Sequence, residues 1–119
     1  MGQISSKLRG GYYAFTHWCP GCKEPHTTIC ADTDSPCWFD GNLDQPTFTP
    51  SIKITGKKRT VDEQGRWLGG WVRDADGNTI PWCCHYNVTA GQIVFHGDST
   101  HELRGTTVPL PELPPHMRD

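Results

Sequence analysis

The chain has 119 residues, a formal net charge of −2, 13 glycines and 10 prolines. That composition describes one domain with a single core, made of short strands and turns rather than long helices. The charge excludes a broad nucleic-acid footprint, so nucleic acid is not an expected partner, and the basic run Lys57-Lys58-Arg59 reads as a solvated hairpin tip. No segment is long and apolar enough to span a bilayer, and the N-terminus lacks the apolar core of a secretory signal. The expectation is a cytoplasmic protein with reduced thiols, whose six cysteines point to metal rather than disulfides. Met1-Gly2 with Ser6, and Asn87-Val88-Thr89, fit acylation and glycosylation patterns too short to carry weight.

Residues 1–10 are polar and read as an N-terminal arm; 11–108 form a β-rich, metal-stabilised core; 109–119 form a Pro-rich extended tail. Tyr12 to Trp18 is rich in β-formers and runs into the turn Cys19-Pro20-Gly21-Cys22, from which Lys23 to Cys30 can pair back. That is the arrangement of a zinc-ribbon knuckle. Trp38-Phe39 ends a strand, Gln45 to Pro50 is extended by its prolines, and Ser51-Ile-Lys-Ile-Thr55 alternates as a strand. Val61 to Trp67 and Val72 to Ile80 each hold a Gly-containing turn between β-formers.

Pro81 to Val88 and Ile93 to His96 form the best-defined hairpin. If Val88 faces Ile93, then Tyr86 faces Phe95, and Trp82, Cys84, Tyr86, Val88, Ile93 and Phe95 share the core face. His85 then lies across from His96 on the other face. Gly97 to Gly105 is the one stretch expected to hold a helical turn, with Asp98 as its cap. The fold class is therefore all-β: a CxxC hairpin joined to a meander of short antiparallel strands.

Two cysteines at CxxC spacing are half of a tetrahedral zinc site. Cys19 and Cys22 are the first pair of ligands. Cys84 is the preferred third, because Cys83 and His85 point to the opposite face and Cys84 shares the core side. The fourth is His101, which a loop can bring in, or His85; His26 is a weaker candidate because it lies only four residues past Cys22. Cys30 and Cys37 read as core or loop residues. A second, polar group consists of His85, His96, Asp98 and His101, which could hold a catalytic zinc and its water or act as acid and base.

The ordered set Cys19-Pro-Gly-Cys22 with His26, Trp38-Phe-x-Gly41, Pro46-Thr-Phe-x-Pro-Ser51, Cys84-His85, Gly91-x-Ile93-x-Phe95, Asp98-x-x-His101 and Val108-x-Leu-Pro111 resembles a family of small phage and prophage proteins of unknown function. The label ammonia monooxygenase, which members sometimes carry, has no support in these residues: there is no membrane span and no recognisable copper site. The resemblance implies phage origin, metal binding by the Cys and His positions, and a location in the bacterial host cytoplasm or in the virion. It also implies a Cys after the Asp of Asp-x-x-His, where this chain has Ser99.

The leading expectation is a non-enzymatic, zinc-stabilised module that binds a protein, either a phage structural protein or a host factor, with self-association left open. The exposed aromatics Trp67 and Trp71 and the extended ends motivate it. The alternative is a zinc-dependent hydrolase or nuclease that uses His85, Asp98 and His101.

Overall fold

Alternation along two hairpins builds the molecule. In the computed structural model, which describes residues 2–11, 14–29 and 38–119, β1 (Arg9–Gly11), β2 (Ala14–Cys19) and β3 (Glu24–Ile29) form one antiparallel sheet in the order β1-β2-β3. A second sheet runs β10-β9-β8-β5-β4, from β4 (Trp38–Phe39), β5 (Phe48–Lys57), β8 (Pro81–Thr89), β9 (Gln92–Phe95) and β10 (Thr107–Pro109). The pair β6 (Arg59–Val61) and β7 (Trp67–Trp71) stands apart. The β-rich antiparallel class expected from the sequence is the one observed.

The core lies between the two larger sheets. Phe15 and Cys19 enter from β2, and Phe48, Cys84, Tyr86, Val88, Ile93 and Phe95 come from the second sheet. The β8–β9 register is the one the alternation predicts, with Tyr86 opposite Phe95 and Val88 opposite Ile93. Hairpin β2–β3 sets His17 opposite His26 and Cys19 opposite Glu24. Its tip is the CxxC turn, closed by Lys23 N–H to the Cys19 carbonyl at 2.8 Å.

Both ends pack on the body: Leu8 is fully buried, Arg9–Gly11 pair with β2, and Leu110 and Leu113 of the tail are buried. One local expectation is corrected. Gly97 to Gly105 is a chain of turns, and the helical turn among the described residues is the 3-10 segment Pro115–Met117. Asp98 caps nothing because its carboxylate is directed at His85. Cys30 and Cys37 lie outside the described residues.

Strand β5 carries an irregularity that matters for the site. Phe48 pairs with Val88 and Ile52 with Tyr86, so β5 holds two more residues than its partner between those pairs. A bulge of this kind bends the strand and re-aims a side chain. Ser51 sits on it.

Candidate functional site

The seam between β8 and the loop Asp98–His101 makes two sites at once. Every residue of that loop is attached to Cys83, Cys84 or His85. Thr100 N–H donates to the Cys83 carbonyl at 2.9 Å, and its hydroxyl receives the Cys83 N–H at 2.9 Å. Ser99, which is buried, receives the His85 N–H and donates to the His85 carbonyl, both at 3.0 Å. Asp98 and His101 then project to opposite sides of the strand, where alternation has placed His85 and Cys84.

On the outer face stands a line of three side chains. His85 Nδ1–H donates to Asp98 Oδ1 at 3.1 Å and Oδ2 at 3.2 Å, so its Nε2 keeps a lone pair. That nitrogen meets the Ser51 hydroxyl at 3.1 Å. The imidazole is half-buried, and it stacks on His96 with centroids 3.9 Å apart. His96 is in turn held through Nε2 by Asn87 Oδ1. Against desolvation, the His85 ring and then Lys53 hold the Asp98 carboxyl below the usual carboxylate range. Lys53 Nζ lies 3.5 Å from Asp98 Oδ2.

Ligand atoms of His85, His96 and Asp98 fall within 4.8 Å of one another. A shared ion is nevertheless a poor use of them. Both nitrogens of His85 already have partners, and the parallel stack does not point its lone pairs toward those of His96. His101, proposed from the sequence as a member of this group, is on the other face of the strand. Hydroxyl, imidazole and carboxylate in hydrogen-bonded order are the parts of nucleophilic acyl transfer. Ser51 lies in the motif Pro46-Thr-Phe-x-Pro-Ser51 and is not among the residues expected to carry chemistry. The signal was the alternation of β5, which sets Ser51 on the same side as Lys53, whose partner across the ladder is His85.

On the inner face the sulfurs of Cys19, Cys22 and Cys84 lie within 4.8 Å of one another, the arrangement of a site able to hold a metal ion. Cys19 and Cys84 sulfurs are 3.8 Å apart, far beyond a disulfide bond. Each of the three accepts an N–H: Cys19 from the Cys22 backbone at 3.4 Å, Cys22 from the Trp82 indole at 3.3 Å, and Cys84 from His101 Nε2 at 3.4 Å. Such donors favour thiolate. Hydrogen bonds from the Cys19 and Cys84 thiols, outweighing desolvation and helped by His26 and Trp82, hold the Cys22 thiol well below its ordinary range, while the Cys19 and Cys22 sulfurs and burial push that of Cys84 well above. His101 lies over Gly21, where any Cβ would run into its ring. Cys83 faces away from the cluster, as alternation requires.

Behind the sulfurs is a buried row of rings. Tyr86 hydroxyl lies 2.7 Å from His17 Nε2 and 3.1 Å from His26 Nδ1. Burial and the neighbouring His26 push His17 down to about 4. For His26 burial acts downward too, but the facing Cys19 and Cys22 sulfurs and Glu24 outweigh it and raise the ring to about 11. Arg59 pairs with Glu24 at 2.7 Å, so the supposed solvated basic tip is in part a structural contact. Lys57 and Lys58 lie over the rings of Trp71 and Trp82. A groove of about 780 Å³ runs past Gly21, Cys22, Lys58, Trp71 and Trp82, and none of Ser51, His85 or Asp98 lines it.

No curated protein and no solved structure matches the chain. A family model does, over residues 2–96: the bacterial ubiquitination-like system serine protease, BubE. The chain belongs to that family. Ser51 and His85 lie inside the matched range, Asp98 and His101 just beyond it. This finding overturns the reading of a phage or prophage protein-binding module and its viral setting, because the family's description places its members in a bacterial system and among proteases. The alternative reading, a hydrolase, fits the family better. No helix among the described residues is long and apolar enough to cross a membrane.

Proposed function

We propose that this chain is a serine hydrolase that cleaves an acyl bond of a polypeptide, with Ser51 as nucleophile, His85 as general base and Asp98 as the orienting carboxylate. The observation that carries the reading is the continuous line from Ser51 Oγ through the His85 ring to Asp98. Asp98 fixes the Nδ1–H tautomer and offsets the charge of the imidazolium that forms. As Ser51 Oγ attacks the carbonyl carbon, its proton passes to His85 Nε2. That proton then goes to the leaving amine, giving an acyl-Ser51 ester. Water, deprotonated by the same nitrogen, attacks the ester, and the carboxylic acid leaves as Ser51 regains its proton. The family's description supports a substrate from a ubiquitination-like system, a chain ending in or joined to a ubiquitin-like protein.

The inner face has a separate role in this proposal. Three thiolates at this spacing suit zinc, whose ligands at about 2.3 Å in a tetrahedron stand close to 3.8 Å apart, and zinc fits as a structural ion tying the β2–β3 turn to β8. Of the sequence-derived ligand set, proximity supports Cys19, Cys22 and Cys84 as a group; His101 Nε2 comes within 3.4 Å of the Cys84 sulfur, and His26 faces the sulfurs of Cys19 and Cys22.

Labelling with a fluorophosphonate tests the hydrolase. One adduct per chain is expected, mapped to Ser51 by mass spectrometry, absent in Ser51→Ala and strongly slowed in His85→Ala. Equal labelling of Ser51→Ala would overturn the assignment.

A further inference from the structure

The position of hydrogen atoms around the thiol cluster selects between the two candidate histidines. We infer that His26, not His101, is the fourth ligand of a Cys3His zinc centre formed with Cys19, Cys22 and Cys84. The inference rests on the proposed zinc and goes beyond it by assigning the ligand and its supporting shell.

The buried row of rings has a direction. A backbone carbonyl can only accept, so the contact of His17 Nδ1 with the Trp18 carbonyl at 3.2 Å makes Nδ1 the protonated nitrogen of that ring. Its Nε2 therefore accepts, and Tyr86 O–H donates to it. The Tyr86 oxygen is left as an acceptor for His26 Nδ1–H. With Nδ1 holding its hydrogen against Tyr86, Nε2, the nitrogen facing the sulfurs, is the one that gives up its proton to a metal ion and offers the lone pair.

That nitrogen is also unpartnered. His26 is 4 % exposed, and Nε2 is buried with no hydrogen-bond partner; Thr28 Oγ1 is the other such atom among the described residues. A buried ring nitrogen without a partner is costly, and its neighbours say what it wants. A His26 nitrogen, the Cys22 sulfur and a Glu24 oxygen lie within 4.8 Å of one another. Glu24 Oε1 is 3.7 Å from His26 Nε2 but is held by Arg59 at 2.7 Å, which leaves it a poor competitor for the ion.

His101 has the opposite tautomer. Its Nδ1 accepts the Leu103 N–H at 3.2 Å, so its Nε2 bears the hydrogen and donates it to Cys84 Sγ. A protonated nitrogen cannot ligate. His101 completes the set of one N–H donor for each sulfur and is a supporting residue of the centre, as Tyr86 is for His26.

The test is the metal shell of the zinc-loaded protein, read by X-ray absorption, with ligand swaps in place of deletions so that the centre can still close. Wild type should hold one zinc with three sulfurs and one nitrogen. His26→Cys should give four sulfurs, and its Co2+ form should show the corresponding red-shifted d–d bands, whereas His101→Cys should keep three sulfurs and one nitrogen. Long-range 1H–15N spectra of the wild-type zinc protein give a readout that needs no variant: metal-bound Nε2 with Nδ1–H for His26, and Nε2–H for His101. Four sulfurs in His101→Cys, or a metallated His101 in the spectra, would overturn the ligand assignment and leave the zinc standing. An oxygen in place of nitrogen would do the same in favour of Glu24. No bound metal in wild type would overturn the zinc itself.

Discussion

Cys84 and His85 are neighbours in one strand, yet their surroundings obey opposite rules. The face of Cys84 is buried, and each sulfur there has an N–H donor. The face of His85 is half-open, with Asp98 near the surface and Lys53 exposed beside it. Closure suits a centre that holds chains together. An open edge suits a hydroxyl that must reach a substrate and release it. The lesson is that β alternation lets one dipeptide serve both without either chemistry intruding on the other.

The comparison predicts an asymmetry. Stripping the proposed zinc with a chelator should disable both faces, because Cys84 and the Asp98–His101 loop belong to both. We expect a loss of at least about 4 kcal/mol of stability, the contribution of a ligand held a thousandfold above its dissociation constant, together with loss of fluorophosphonate labelling; calorimetry and mass spectrometry read the two. Labelling that survives in a metal-free, folded chain would break the coupling. The reverse change should stay local. Asp98→Asn should lower turnover by roughly 10²–10⁴-fold with zinc content and Tm unchanged, and a parallel loss of zinc would mean that the two faces are not separable.

Smaller changes sharpen the contrast. Gly21→Ala drives a methyl against the His101 ring and should cost about 1–3 kcal/mol in thermal unfolding, with the turnover of the folded fraction intact. Lys53→Ala removes a contact between two half-exposed groups. Its effect on turnover should be less than about fivefold, shrinking further as salt is raised.

Much of the inner face was legible in the sequence. CxxC spacing marks Cys19 and Cys22, and the alternation of Trp82 to Val88 places Cys84 inward, as the observed pairing of Tyr86 with Phe95 requires. His26 was ranked low for its closeness in sequence to Cys22, but the hairpin folds it back opposite His17, and spatial rather than sequence distance decides a ligand. The outer face was half legible. His85 and Asp98 stand out as chemistry-bearing residues, whereas Ser51 does not: alternation sets it on the Lys53 side, but serine is ordinary in a strand and nothing in the sequence pairs β5 with β8. Asp98 looked like a helix cap because Asp before a polar stretch usually is one. Here Ser99 and Thr100 bind the loop to β8 backbone before a helical turn can form.

The two-faced dipeptide also bears on how the chain finds its fold. Were β8 to pair with β5 one residue out of register, His85 would turn inward to the sulfurs and Cys84 outward to Ser51. Cys83 would turn inward in place of Cys84, so the thiols alone do not fix the register, but no imidazole would then stand beside Ser51. What holds the register is the apolar side of the same strand: Tyr86 and Val88 are buried, and a slip would turn both to solvent, so the core residues of β8 are also what keeps His85 beside Ser51.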